Sequence, residues 1–114
     1  MDFDQAQATI KTHAKQFIGE EIVSAIASDY GGSDKDNDVC LSLEAISKPL
    51  KPAKVEKIKF IEEGEAGVFE LRLYEYLGIK FGIEYLDDEA PTQGGGTCYI
   101  AKRDYETLTN KGQP

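Results

Sequence analysis

Few residues in this chain of 114 could do chemistry, and their spacing narrows the choice further. Glu75 is the one charge among the odd-numbered apolar residues Phe69, Leu71, Leu73, Leu77, Ile79, Phe81 and Ile83. A carboxylate buried in such a row has a raised pKa and can act as a general base. Glu75 also stands three residues before Gly78, where the chain is expected to reverse, and a side chain at the end of a hairpin reaches water. His13 is the only histidine. No second histidine or neighbouring cysteine completes a metal or nucleophile set around it, so it reads as a solvated or half-buried helix residue.

Asp34, Asp36 and Asp38 alternate as the first ligands of a calcium loop do. The sixth loop position is Val39 instead of glycine and the twelfth is Ala45 instead of glutamate, so the sharp turn and the bidentate ligand are both missing. Residues 31–38 are therefore expected to form a mobile acidic loop. Cys40 and Cys98 have no CxxC or Cys/His spacing and read as buried, reduced thiols. Gly94-Gly95-Gly96 follows acidic residues and lacks the Gly-Lys-Ser/Thr of a phosphate loop. No catalytic residue, metal site or cofactor is assigned on these grounds.

The elements that would position these groups follow from periodicity. Phe3, Ala6, Ile10, Ala14, Phe17 and Ile18 recur at helical spacing, with Asp2 and Gln5 arranged as a capping box. Past a break at Gly19-Glu20, Ile22, Val23 and Ile26 suggest a second helical segment ending near Ser28 or Asp29, before Gly31-Gly32. Val39, Leu41, Leu43 and Ala45 alternate as a first strand, and Ser47 to Pro52 forms a proline-stiffened crossover.

Three antiparallel strands are then expected over about 55–63, 66–75 and 79–86. Keeping every apolar residue on one face requires a three-residue loop, Tyr76-Leu77-Gly78, and a two-residue loop, Gly64-Glu65. Thr97 to Arg103 reads as a last strand, residues 92–96 as a Gly-rich loop and 110–114 as a frayed tail. The expected architecture is a single α+β domain over 1–114. Its N-terminal kinked helix, or two short helices, packs on one face of a four- to five-stranded, mainly antiparallel meander sheet.

The formal charge of −8 disfavours nucleic acid and anionic membrane as partners and favours a basic protein. No apolar run approaches the length of a membrane span, and the acidic amino terminus lacks a secretory signal, which suggests the cytoplasm. The charged sheet face and the segment after it supply candidate protein contacts at Glu70, Arg72, Tyr74, Tyr76, Glu84, Asp87, Asp88 and Glu89. The function expected is a non-enzymatic acidic binding protein, such as an immunity protein or inhibitor that neutralises a basic toxin or nuclease. Two alternatives stand beside it: an acid–base enzyme or ligand carrier with a pocket around Glu75, and a sheet-completing subunit of a larger assembly, which a long uncovered edge strand would favour.

Overall fold

A computed structural model of the chain describes residues 1–26, 34–86 and 97–110. The elements run α1 (Phe3–Ile18), β1 (Ile22–Ile26), α2 (Asp34–Ser47), β2 (Lys54–Glu62), β3 (Glu65–Tyr76), β4 (Ile79–Leu86), β5 (Thr97–Ala101) and α3 (Lys102–Thr109). The strands form one antiparallel sheet in the order β1-β5-β4-β3-β2. This is the α+β arrangement expected, with the N-terminal helix lying on an antiparallel sheet. Among the described residues no helix is long and apolar enough to cross a membrane.

Helix α1 begins where its sequence says it should. The Asp2 side chain accepts from the Gln5 backbone N–H at 2.8 Å, and the Gln5 side chain accepts from the Asp2 N–H at 3.0 Å. Gly19 ends the helix in the left-handed conformation, φ 77°, which a side chain would resist. The buried stripe Ala6, Ile10, Ala14 and Ile18 repeats every four residues and packs on Phe60, Phe69, Leu71, Leu73 and Tyr99. The Phe3 ring contacts those of Phe60 and Phe69 at 5.4 and 5.2 Å, pairs that contribute about 0.5–1.5 kcal/mol each beyond their burial.

The segment after Gly19 is strand β1, not a second helix. Ile22 and Val23 are β-branched, and Ile22–Ile26 pairs with β5 from Ile22↔Ala101 to Ile26↔Thr97. The opposite substitution occurs downstream, where the expected strand at 39–45 lies inside helix α2. Val39, Cys40, Leu43 and Ser47 are its buried residues, a helical spacing, while Leu41 is exposed. The acidic stretch is likewise helical from Asp34 onward, and the Tyr105 hydroxyl donates to the Asp36 carboxylate, tying α3 to α2. Residues 31–33 and the Gly-rich loop 92–96 lie outside the described residues, as do 111–114 of the expected tail. Strand β5 stops at Ala101, and α3 begins where the strand was expected to continue to Arg103.

Strands β2, β3 and β4 are the three consecutive antiparallel strands expected, but their registers differ. Both turns are two-residue loops with two left-handed residues, Glu63 and Gly64 (φ 51° and 81°) and Leu77 and Gly78 (φ 51° and 82°). That is the type I′ pattern, whose twist matches the strands. The first loop sits one position earlier than Gly64-Glu65, so Phe60 opposes Gly67 and Ile58 opposes Phe69. The faces are unchanged there. The second loop is Leu77-Gly78, not Tyr76-Leu77-Gly78, and this one-residue difference turns all of β4 over. Tyr74 now opposes Phe81, Arg72 opposes Ile83 and Leu71 opposes Glu84.

The physical reason is that β4 is buried on both sides: Phe81, Gly82, Ile83 and Glu84 are all in the interior. Phe69, Leu71 and Leu73 face α1, whereas Phe81 and Ile83 point the other way, into a second core with Ala25, Val39, Cys40, Leu43, Tyr74, Cys98 and Ile100. Tyr105 and Leu108 of α3 pack on that second core. The sheet is therefore sandwiched at β5 and β4, with α1 on one face and α2 and α3 on the other.

Candidate functional site

Carboxylate chemistry can be located first. Glu75 is exposed beside the β3–β4 turn, directly opposite Lys80. The buried carboxylate is Glu84, 7% exposed on the α1 face, where the Tyr99 hydroxyl donates to it at 2.6 Å. Desolvation pushes the Glu84 carboxyl above its ordinary range, the Tyr99 bond opposing that rise. The Tyr99 hydroxyl is also driven up, by burial first and then by the adjoining carboxylate. A cleft of about 140 Å³ opens elsewhere, between the end of α1, the Leu77-Gly78 turn and the start of α3. Glu20, Lys80, Arg103 and Asp104 line it, and neither Glu75 nor Glu84 does. Its main cation is already engaged, with Arg103 Nη2 3.0 Å from Glu20.

The two cysteines are bonded to each other and are not reduced thiols: Cys40 on α2 and Cys98 on β5 form a disulfide with Cα atoms 5.6 Å apart. Both are wholly buried. Glu44, one helical turn after Cys40, brings a carboxylate oxygen 4.0 Å from the Cys40 sulfur, and desolvation raises its pKa against the pull of Lys48. Cys40, Glu44 and Cys98 thus converge as three potential metal donors. With the S–S bond formed neither sulfur is a thiolate, the form in which cysteine ligates metal. His13, on α1, stands 3.9 Å from the Glu56 carboxylate and is half-buried.

The candidate contact residues separate into three groups. Tyr74 is only 3% exposed and stacks on Phe81, and Glu84 is buried under α1, so neither belongs to a docking surface. Both errors follow from the flipped β4 and from the second helical layer. Glu70, Arg72 and Tyr76 remain accessible on the face away from α1. The guanidinium of Arg72 bonds Glu70 at 2.6 Å and lies 4.8 Å from the Tyr85 ring centroid, while Lys57 approaches Glu70 at 3.6 Å. Lys57 stands directly opposite Glu70 in the ladder, so Lys57, Glu70 and Arg72 form a chain of alternating sign. Asp87, Asp88 and Glu89 lie outside the described residues.

A different acidic surface emerges at the β2–β3 end. The Ile61 N–H donates to the Met1 carbonyl at 2.9 Å, which holds the amino terminus against the hairpin tip. This brings Met1, and with it Asp2 and Asp4 at the start of α1, to the end of β2 that carries Glu62, Glu63 and Glu65 at the tip; Met1 is exposed, and so is Ile61, 62% accessible on the face away from α1. Glu62 and Glu65 are directly opposed across the ladder, an unfavourable like-charge pair. Among the described residues none of these five carboxylates forms an ion pair. The sequence signal was the run Glu62, Glu63 and Glu65, which becomes a surface only once the terminus is pinned beside it. Comparison with family models, with curated proteins and with solved structures finds no match.

Proposed function

We propose that the protein is a non-enzymatic binding protein whose acidic hairpin end docks a basic protein partner, in the manner of an immunity protein or stoichiometric inhibitor of a toxin or nuclease. The observation that carries this reading is the set of carboxylates at the Met1 and Ile61 end of the hairpin, which form no ion pair among the described residues. Apolar centres ringed by charge are how protein interfaces are built, and clustered charge of one sign accelerates encounter with the opposite sign. The opposed Glu62 and Glu65 cost stability in the isolated chain, and a cationic partner would relieve that cost.

The acid–base reading loses its anchor with Glu75 in solvent. Glu84 does not replace it, because its buried carboxylate already accepts from the Tyr99 hydroxyl and its raised pKa follows from desolvation in the core. The location belongs to the proposal too. The amino-terminal sequence pointed to the cytoplasm, whereas a Cys40–Cys98 bond persists in compartments more oxidising than that.

The test is capture of partners from the native cell at low and high salt, with the parent and with a Glu62→Lys, Glu63→Lys, Glu65→Lys variant. A basic protein retained by the parent at low salt and lost by the variant supports the proposal. Equal retention by both, or a partner indifferent to salt, removes it.

A further inference from the structure

The other feature at this end of the molecule is a strand edge. Strand β2 is nine residues long and has β3 on one side only. With Glu62 and Glu65 closing the turn as a hydrogen-bonded pair, the alternate residues Val55, Lys57, Lys59 and Ile61 direct their backbone groups outward. Ile61 is met by the Met1 carbonyl; among the described residues no other backbone bond is made to that side of β2. The same four residues share the sheet face away from α1 with Val68, Glu70 and Arg72. Among the described residues, helices α2 and α3 pack over β1 and β5 and do not extend over the β2 side of this face. Val55 is 46% exposed there, and the Lys59 ammonium forms no ion pair among the described residues.

We infer that the outer edge of β2 is a second binding surface, adjoining the acidic tip, that takes up an extended acidic segment of another protein as an added strand. Open ladder groups supply affinity to any extended chain, and the side chains at alternate positions decide which chain is accepted. The order Val, Lys, Lys, Ile on the edge asks for an incoming strand with apolar residues at its ends and carboxylates at the two positions between. Because that order is nearly symmetric, it serves a strand running in either direction. A second copy of this chain is rejected: in the centred antiparallel register, Lys57 falls opposite Lys59 of the other copy, twice, and like charges directly opposed are destabilising. Lysines on an edge strand guard against indiscriminate pairing. The same charges that exclude an uncharged or basic strand favour an acidic one, which is how attraction and repulsion together make a site selective.

The experiment uses two blocked eight-residue peptides in which threonine alternates with Val, Glu, Glu and Val, or with Val, Lys, Lys and Val. Binding to the full chain is followed by fluorescence anisotropy and by amide hydrogen exchange. The glutamate peptide is expected to bind about ten-fold or more tighter than its lysine twin at low salt, and to slow exchange at Val55, Lys57 and Lys59. The Lys59→Glu variant, changed at an exposed side chain that stands opposite Val68 and forms no ion pair among the described residues, should lose most of the preference while its thermal unfolding stays near that of the parent. Equal binding of both peptides, no protection of β2, or protection that rises with protein concentration alone would each overturn the inference. The triple variant at the tip keeps Lys57 and Lys59 and should still prefer the glutamate peptide over its lysine twin, so failure of the tip proposal leaves this one measurable.

Discussion

Removing the Cys40–Cys98 bond is the perturbation whose size the structure fixes best. The two residues are 58 apart in sequence, so the bond closes a loop of about half the chain. Constraining a loop of that length removes about 14 cal/mol/K of entropy from the unfolded chain, or about 4 kcal/mol at 25 °C. The native contacts that remain around the site are modest by comparison, since α2 holds the sheet through few buried residues, chiefly Val39, Cys40 and Leu43. Loss of the bond should therefore be felt first as loosening of α2.

The assay is urea denaturation of the oxidised parent, the parent in reductant, and the Cys40→Ala, Cys98→Ala variant. With an m-value of about 2 kcal/mol/M, the midpoint should fall by about 2 M when the bond is absent. The reduced parent separates the loss of the cross-link from the loss of buried sulfur, because only the variant also leaves a cavity. Thiol titration of denatured protein purified without reductant should find no free thiol. Two free thiols, or a midpoint unchanged in both bond-free forms, would refute the reasoning.

Three further outcomes follow from particular side chains. Glu84 has a folded-state pKa above its unfolded value, so its contribution is fullest below about pH 4 and is lost as pH rises through the folded pKa. The stability of Glu84→Gln relative to the parent should accordingly climb with pH across that window, and a difference flat in pH would contradict the shift. A Cβ on Gly67 would lie 2.4 Å from Cζ of Phe60, whose ring is confined by Phe3 and Phe69. Gly67→Ala should cost about 1–3 kcal/mol in denaturant unfolding, with near-UV dichroism reporting displaced rings. Leu77 is exposed and left-handed, a conformation costing a branched side chain about 1–2 kcal/mol, so Leu77→Asn should raise the melting temperature.

What the sequence disclosed depended on whether a local rule acted alone. The start of α1 was legible because Asp2 and Gln5 satisfy each other's backbone whatever lies beneath the helix. The glycine that stops it was legible too, although the chain beyond Gly19 was not. Ile22 to Ile26 fits a helical stripe as well as a strand, and only pairing with β5 decides between them. The 39–45 segment failed in the reverse direction, since Val39 and Leu43 satisfy both periods. For β4 the error had one source. Expecting a single buried face made Leu77-Gly78 look too short a loop, because it set Arg72 opposite Ile83. A second helical layer makes that pairing acceptable: the Arg72 stem covers apolar surface while its head meets Glu70 and Tyr85.

The uneven cover of the sheet explains why both proposed surfaces fall at one end. Strand β5 is five residues long and lies between helical layers, so its side chains are committed to two cores. Strand β3 is twelve residues long, and it and β2 run past the reach of α2 and α3, giving a body 51 Å along its longest axis against 29 and 26 Å across. The overhanging hairpin needs only one face buried to stay folded, and α1 supplies that through Phe60 and Phe69. The side chains of its outer edge and tip lie outside both cores, so packing does not fix them. What the chain places there is two lysines beside two apolar side chains on the edge, and carboxylates at the tip that form no ion pair among the described residues. A hairpin held from one side by three phenylalanines can therefore present two chemically opposite surfaces without either disturbing the core that supports it.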